Sequence, residues 1–167
     1  MDGCLNKIRL EKISMDNLDE CLRLSVTEVQ KEFIASNAYS LCEAYALTNH
    51  ESQIPMPYAI YDGNTMVGFV FVIYQPLDES DPDDDEDVYY LARLMIDKKH
   101  QGKGYGKAAL FKLVELLKTF PHGPAKAIVL SCNPDNKPAY PFFLSFGFKE
   151  MGIQDDDGDN LLRLELE

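Results

Sequence analysis

Hydrophobic residues recur along this chain with two different periods, and each period predicts a different kind of element. The segment NKIRLEKI places apolar and charged residues in turn, with Ile8 and Leu10 on one face, which is typical of an edge strand. In MDNLDECLRLSVTEV, apolar residues recur every three or four positions. This segment therefore predicts a helix over residues 15 to 29 that is capped by Ser14 or Asp16.

A second helix and four strands are predicted next. Apolar residues at helical spacing predict a helix over residues 38 to 48 that begins near Asn37 or Ser40. The segments YAIYD and TMVGFVFVIYQ are rich in β-formers, and the Gly63-Asn64 pair between them predicts a hairpin because both residues tolerate a positive φ. VYYLARLMI and AKAIVLSC predict two further strands.

Two more helices and a final hairpin complete the chain. A helix over residues 103 to 118 is predicted because four apolar residues share one face, namely Leu110, Leu113, Val114 and Leu117. A short helix over residues 137 to 145 ends before Gly147, which permits a left-handed cap. The tail predicts two strands around an Asp-Gly turn. The order β, α, α, β, β, β, α, β, α, β, β is typical of an α/β protein with a mixed sheet and helices on both faces.

The length, composition and net charge of the chain exclude several classes of protein. With 167 residues, of which 46% are hydrophobic, the chain suits one compact domain. A formal net charge of −12 disfavours nucleic acid, because phosphate backbones bind positive surfaces. The apolar runs are shorter than the roughly 20 residues of a membrane-spanning helix, and charges near the N-terminus argue against an export signal. We therefore expect a cytoplasmic protein with no membrane partner.

Cysteine and histidine usage favours no metal site. The four cysteines and three histidines are scattered without ligand spacing, so free thiols and no metal are expected. Eight of the ten residues from 78 to 87 are acidic, so this segment repels itself and is expected to be a mobile loop. The negative electrostatic field of this segment favours cationic partners. A net negative charge also keeps many enzymes soluble without any such partner.

The segment QGKGYG, residues 101 to 106, carries the candidate chemistry. A Walker loop is excluded because Gln101 stands where that motif needs glycine and Ala108 where it needs Ser or Thr. Gly104-x-Gly106-x-x-Ala109 satisfies the dinucleotide fingerprint, but no acidic residue follows at the distance that would hold a ribose. In a third interpretation, bare backbone N–H groups bind a pyrophosphate at a helix N-terminus. A plain glycine-rich turn is the alternative without function.

A second motif distinguishes between these interpretations. NKPAYPFFLSFGF contains Asn136, Ala139, Phe143, Gly147 and Phe148 at spacings that, together with Gln101 to Gly106, resemble the GNAT N-acetyltransferase superfamily. The resemblance covers residues 1–167 and implies a single N-acetyltransferase domain. It also implies a mostly antiparallel sheet of about seven strands with helices on both faces. A splay between the fourth and fifth strands, at 88 to 96 and 126 to 132, would admit acetyl-CoA, the implied co-substrate.

The resemblance also implies a set of coenzyme-binding residues. Backbone groups of Leu94 to Ile96 would pair with the pantetheine arm, and the glycine segment would hold the pyrophosphate. The full set is Leu94, Met95, Ile96, Gln101, Gly102, Lys103, Gly104, Tyr105, Gly106, Lys107, Asn133, Asn136 and Phe143.

The same resemblance leaves the general acid unassigned. Phe143 occupies the position at which the family commonly has the tyrosine that protonates the leaving thiolate, and phenylalanine has no such proton. Tyr140 lies three residues earlier on about the same helix face, so it is the predicted catalytic replacement. Water or Cys132 are the alternatives.

The acceptor is predicted from residues 26 to 46, which resemble the helical region of a bacterial subgroup that includes polyamine acetyltransferases. Glu28 and Glu32 are the predicted contacts for ammonium groups, and Tyr39 offers a ring face. The favoured substrate is a primary amine of a polyamine such as spermidine or spermine. Another small amine, a protein amine, and a non-catalytic acyl-CoA-binding regulatory module stay open. Many relatives form homodimers, and this chain is expected to be capable of the same.

Overall fold

A computed structural model describes residues 7 to 166 of the chain. Cys4 and the first residue of the predicted edge strand, Asn6, lie outside the described residues. The strands are β1 (Ile8–Lys12), β2 (Ile54–Asp62), β3 (Thr65–Gln75), β4 (Val88–Ile96), β5 (Ala127–Cys132), β6 (Lys149–Gln154) and β7 (Asn160–Glu165). The helices are α1 (Leu18–Arg23), a 3₁₀ helix (Gln30–Glu32), α2 (Asn37–Leu47), α3 (Tyr105–Leu117) and α4 (Ala139–Phe146).

The strands form one seven-stranded sheet within residues 7 to 166, in the order β1-β2-β3-β4-β5-β7-β6. Neighbouring strands are antiparallel except β4 and β5, which are parallel. One core lies between the sheet and the helices α3 and α4, and a second core lies beneath α1 and α2 on the other face. The predicted α/β class, the mostly antiparallel sheet and the helices on both faces are confirmed.

The pairing of β4 with β5 is short, and it opens the sheet. The parallel register holds for three neighbouring pairs, the last of which joins Tyr90 to Val129. Beyond that pair β4 continues to Ile96 and β5 to Cys132, so the two strands diverge. The predicted splay is therefore confirmed. On its other edge β4 carries a β-bulge, since Leu91 and Arg93 pair with the adjacent residues Val72 and Phe71.

The first helix is shorter than the period of its apolar residues predicts. It ends at Arg23, and Leu24 already has extended backbone angles. The backbone N–H of Ser25 donates to Asp97 Oδ1 at 2.8 Å, and the N–H of Lys98 donates to the carbonyl of Ser25 at 2.8 Å. These bonds join the segment after α1 to the end of β4. Bonds to a distant strand therefore override the local preference for helix.

Helix α2 begins at Asn37, as predicted, and the side chain of Ser36 caps it by accepting a hydrogen bond from the N–H of Tyr39 at 3.1 Å. The predicted cap of α1 needs correction. At α1 the N-cap position is Asn17, whose side chain makes no capping bond to the helix. Asn17 instead donates to the carbonyl of Lys12 and accepts from the N–H of Ser14, so it braces the turn after β1.

Strand β2 begins at Ile54, earlier than the predicted YAIYD strand. Its prolines, Pro55 and Pro57, pair with Ile73 and Phe71 of β3 but lie beyond the residues of β2 that β1 covers. Proline has no N–H to donate, and it is tolerated where the neighbouring edge of a strand is unpaired.

The acidic segment from 78 to 87 contains neither helix nor strand, as predicted. Its own carboxylates close it: the N–H of Leu77 donates to Asp87 at 2.8 Å, and that of Asp78 donates to Asp84 at 2.7 Å. Glu86 accepts from two nitrogens of Arg163 on β7 and anchors the segment to the sheet. Its mobility stays a prediction. None of the helices within residues 7 to 166 has both the length and the apolar character needed to cross a membrane.

Candidate active site

The glycine segment joins the end of β4 to the N-terminus of α3. Gly102 and Gly104 have φ angles of +76° and +86°, a conformation that side chains other than glycine rarely adopt. A Cβ at either position would meet no atom within 4 Å. At Gly106 a Cβ would lie 3.7 Å from Phe142. The backbone of this segment is therefore open on the side where a ligand would approach.

The first turn of α3 presents its N–H groups to the same space. Ala108 donates to the carbonyl of Gly104 at 3.1 Å, which is the first bond of the helix ladder. The N–H groups of Gly106 and Lys107 precede that bond, and neither donates to another of residues 7 to 166. Unpaired donors at a helix N-terminus, beside the ammonium group of Lys107, favour an anion.

A cavity of about 420 Å³ lies over this helix end; we call it the glycine-loop cavity. Its walls are the second half of β4, the glycine segment and the first part of α4. The structure brings every predicted coenzyme-binding residue to it except Lys103 and Asn133. Residues from two separate segments of the sequence thus line one space, and their binding of a coenzyme stays a prediction.

A second cavity of about 520 Å³ fills the splay between β4 and β5; we call it the splay cavity. Asn133 lies here. Both cavities are lined by Ile34, Leu94, Asn136, Ala139 and Phe143, so together they form one cleft. The diverging strands leave backbone groups of β4 without a partner on β5, and such groups are free to bind an extended ligand.

The far wall of the splay cavity is acidic. The turn between β6 and β7 supplies Asp155, Asp157 and Asp159, and the segment after α1 supplies Glu32. Burial, followed by the charges of Asp155 and Asp157, raises the pKa of Asp159 above its usual value. Arg93 also lines this cavity, but its guanidinium pairs with Glu43 at 3.3 Å. The cleft therefore offers donors for an anion at one end and carboxylates for a cation at the other.

The predicted acceptor residues are only partly brought together. Glu32 lines the splay cavity, whereas Glu28 points to solvent and pairs with Lys31 at 2.6 Å. Tyr39 is 61% exposed on α2 and lines neither cavity. Charged residues in a short irregular segment do not show which side faces the sheet, and that is why the sequence could not separate Glu28 from Glu32.

Tyr140 lies away from the cleft. Its side chain is 9% exposed, and its hydroxyl donates to Glu150 and accepts from Asn160 at 2.9 Å. Burial, reinforced by the bond to Glu150, raises the pKa of Tyr140. The hydroxyl thus joins α4 to the β6–β7 hairpin, and this geometry does not support its predicted role as a proton donor. Phe143, by contrast, does lie in the cleft.

Three features of the cleft were missed by sequence reasoning. Gln30 of the 3₁₀ helix bonds to Gln101 of the glycine segment, the acidic turn closes the splay cavity, and Tyr90 bonds to Ser131 across the splay at 2.8 Å. None of them forms a local motif. Cys132, an alternative proton donor, also lines the splay cavity, but burial raises the pKa of its thiol to about 11, and its Sγ faces the carbonyl of Asn133 at 3.7 Å.

Comparison with known proteins establishes the family. Residues 18–148 match the model of the acetyltransferase (GNAT) family. The chain belongs to this family. It is 31% identical over 159 residues to a probable spermine N(1)-acetyltransferase of Bacillus subtilis subsp. natto, with 95% of this chain and 99% of that protein covered. It is 30% identical, with the same coverage, to a spermine/spermidine N(1)-acetyltransferase of Bacillus subtilis strain 168.

A solved structure shows the same fold. Spermidine N-acetyltransferase from Vibrio cholerae, in complex with CoA and spermine, superposes with a TM-score of 0.66 at 14% identity over 96% of both chains. The predicted N-acetyltransferase activity and acetyl-CoA as co-substrate are confirmed by family membership. The residues present fit that co-substrate, because the open glycine backbone and the unpaired donors of α3 suit a pyrophosphate, and the unpaired part of β4 suits an extended arm.

Proposed function

We propose that this acetyltransferase transfers the acetyl group of acetyl-CoA to a primary amine of a polyamine. The observation that carries the proposal is the acidic wall of the splay cavity, formed by Glu32 and by Asp155, Asp157 and Asp159. A polyamine is a chain of cationic groups, and this wall places several carboxylates around a cavity that opens onto the coenzyme end of the cleft. The names of the two Bacillus relatives support the same substrate class.

In this proposal the coenzyme occupies the cleft from the glycine segment to the splay. The N–H groups of Gly106 and Lys107, with the ammonium of Lys107, bind the pyrophosphate, and each charge-assisted bond contributes about 1.5–3 kcal/mol. Backbone groups of Leu94 and Ile96 bind the pantetheine arm as an adjacent strand would. Asn133 and Asn136 flank the arm, and Phe143 packs against its end.

The acceptor enters from the acidic side. An alkyl amine with a pKa of about 10.4 loses a proton only at a cost of roughly 4–5 kcal/mol at pH 7. Carboxylates against the reacting nitrogen would increase that cost, because they stabilise the ammonium form. The acidic turn therefore binds a distal ammonium group, and the reacting nitrogen lies deeper, among Ala92, Leu94 and Phe143, where desolvation disfavours its charged form.

Thiol release from acetyl-CoA with a panel of amines tests the proposal. The panel includes spermine, spermidine, a monoamine, an aminoglycoside, lysine and a peptide with a free N-terminus. Spermine or spermidine is expected to give the highest kcat/KM. Preference for the peptide or the aminoglycoside would replace the polyamine by that acceptor, and coenzyme binding without turnover of any amine would favour a regulatory module.

A charge-matched pair of variants tests the acidic wall. Exchange of Asp155, Asp157 and Asp159 for Asn is expected to raise the KM for spermine about tenfold and that for the monoamine much less, since exposed ion pairs contribute ~0.2–1 kcal/mol each. The control exchanges Asp83, Asp84 and Asp85 for Asn. It changes the net charge by the same amount in a segment that lines neither part of the cleft. An equal rise in KM for both triple variants would contradict direct recognition and leave only long-range steering.

Location and assembly also remain proposals. Cys21, Cys42 and Cys132 are free thiols, which is consistent with a reducing compartment such as the cytoplasm. Sedimentation of the purified chain would show whether it forms the homodimer expected from the family resemblance.

A further inference from the structure

Two hydroxyl groups meet across the opening of the sheet. Tyr90 Oη and Ser131 Oγ lie 2.8 Å apart, and either oxygen can be the donor. Tyr90 is the last residue of β4 that pairs with β5, where its partner is Val129. Ser131 follows Val129 by two positions and so faces the same side of the sheet. The hydrogen bond therefore spans the splay at the level where the strands begin to separate.

The pair faces the space in which the reaction must take place. Tyr90 and Ser131 both line the splay cavity, and Phe143 lines it as well. Tyr90 packs with the core beneath α1 and α2, whereas Phe143 packs with the core on the opposite face of the sheet. A group held in the splay is therefore within reach of both side chains, from opposite sides.

Acetyl transfer needs a group of this kind. As the amine nitrogen attacks the thioester carbon, the nitrogen gains a positive charge and the departing sulphur a negative one. One proton must leave the nitrogen and one must reach the sulphur. Phe143 has no proton to give, the Tyr140 hydroxyl is held by Glu150 and Asn160 outside the cleft, and the Cys132 thiol faces the carbonyl of Asn133.

We infer that the Tyr90–Ser131 pair is the proton relay of this acetyltransferase. The inference rests on the proposed transfer of acetyl to an amine, but not on which amine is used. The N–C bond forms, the C–S bond breaks, Tyr90 gives its hydroxyl proton to the sulphur, and Ser131 passes its own proton to Tyr90. Ser131 then takes the proton that the nitrogen releases. Ser131 donates to Tyr90 before the reaction, and Tyr90 donates to Ser131 after it. Each residue ends with one hydroxyl proton, so atoms and charge balance.

Single-hydroxyl variants test the relay. Tyr90→Phe is expected to lower kcat by about 100-fold, the lower end of what positioned proton transfer contributes, with the KM for acetyl-CoA changed less than about twofold. Ser131→Ala is expected to lower kcat by a smaller factor, because water can replace its oxygen. The matched control is Tyr89→Phe, the neighbouring residue on β4, whose hydroxyl donates to the carbonyl of Gly123 on the other side of the strand at 2.9 Å. This control is expected to keep kcat.

A rescue variant separates proton transfer from a structural role. Phe143→Tyr introduces a hydroxyl into the same cavity from the opposite face, and in the Tyr90→Phe background it is expected to restore kcat at least tenfold. A structural role for the Tyr90–Ser131 bond would not be rescued in this way. The relay is wrong if Tyr90→Phe keeps kcat within threefold of wild type, or if its loss of kcat is not restored by Phe143→Tyr.

Failure of the relay and failure of the proposed substrate give different results. If the wild-type chain acetylates an amine other than a polyamine, the substrate proposal fails. The kcat of Tyr90→Phe relative to wild type, measured with that other amine, still shows whether the relay is correct. If polyamines are acetylated and this ratio of kcat values is near one, the substrate proposal stands and the relay fails.

Discussion

Gln30 and Gln101, which both line the glycine-loop cavity, hold each other by two amide hydrogen bonds. Gln101 Nε2 donates to Gln30 Oε1 at 2.8 Å, and Gln30 Nε2 approaches Gln101 Oε1 at 3.3 Å. Gln101 also donates to the carbonyl of Ile96 at 2.9 Å. Gln30 begins the segment that leads to Glu32 and Ile34 in the splay cavity, whereas Gln101 begins the glycine segment. The pair thus links the segment that lines the splay cavity to the segment that lines the glycine-loop cavity.

Loss of either glutamine is expected to weaken the binding of both substrates. Gln30→Ala should raise the Kd for CoA and the KM for the amine about three- to tenfold. The reason is that the net contribution of an intramolecular hydrogen bond to stability is only ~0.5–1.5 kcal/mol. Because the two side chains share one interaction, the double variant should bind CoA no more weakly than Gln101→Ala alone. Titration calorimetry of the four proteins measures this. Fully additive losses would show that the two residues act independently.

The variant Gly106→Ala is expected to weaken the binding of CoA without lowering the stability of the protein. Gly106 has an ordinary helical conformation, and an added Cβ would make only van der Waals contact with Phe142 at 3.7 Å. Gly106→Ala should therefore keep or raise the Tm, because alanine in a helix is more stable than glycine by about 0.5–1 kcal/mol. The methyl group would nevertheless occupy space beside Ile96 and Phe142, which line the glycine-loop cavity. We expect the Kd for CoA to rise at least tenfold, as measured by calorimetry.

Gly104 provides the contrast to that variant. Its φ of +86° costs a residue with a side chain about 1–2 kcal/mol, so Gly104→Ala is expected to lower the Tm. An unchanged Kd for CoA in Gly106→Ala would mean that the pyrophosphate does not approach this part of the backbone.

Tyr140→Phe distinguishes the predicted catalytic role from the role that the structure indicates. The hydroxyl is bonded to Glu150 and Asn160, and its removal should lower the free energy of unfolding by about 1–2 kcal/mol. The measurement is urea denaturation, with kcat determined on the same protein at a temperature where both proteins are folded. We expect kcat to stay within threefold of wild type. If kcat instead fell by about two orders of magnitude while stability stayed unchanged, Tyr140 would be restored as the proton donor.

Asp159 is expected to make stability depend on pH. Burial and the neighbouring carboxylates raise its pKa in the folded chain, so the folded state binds this proton more tightly than the unfolded state does. The resulting stabilisation is complete below the unfolded pKa of about 3.9, and it is lost as the pH rises through the raised value. Asp159→Asn should therefore be more stable than wild type at pH 7, by up to about 0.5 kcal/mol because the carboxylates are partly exposed.

That advantage is expected to shrink as the pH falls through the raised value and to vanish below the unfolded pKa of about 3.9, where the wild-type carboxyl is mostly protonated in both states. Asp156→Asn is the matched control, since Asp156 belongs to the same turn, is exposed and does not line the splay cavity. Denaturation of the three proteins at several pH values measures the effect. A gain for Asp159→Asn that is the same at every pH, or is shared by Asp156→Asn, would contradict the assigned cause.

Most of the lining of the glycine-loop cavity was predictable because its parts are adjacent in sequence. Leu94 to Lys107 form a strand, a glycine segment and a helix start, and each follows from local periodicity or from the special backbone of glycine. The acidic wall of the splay cavity was not predictable in the same way. Asp155, Asp157 and Asp159 form an ordinary turn in the sequence, and β7 must insert between β5 and β6 before that turn reaches the splay.

The sequence by itself determined the order of the elements, the glycine backbone at the start of α3 and the absence of a hydroxyl at Phe143, because these depend on residue type and short-range spacing. Tertiary structure alone decided where α1 ends, which carboxylates face the cleft, and which hydroxyl groups line the splay cavity. Tyr90 and Ser131 belong to strands separated by α3, and only the parallel pairing of β4 with β5, broken after Tyr90, brings them together. Contacts of that kind depend on strand register, and register is a property of the whole sheet.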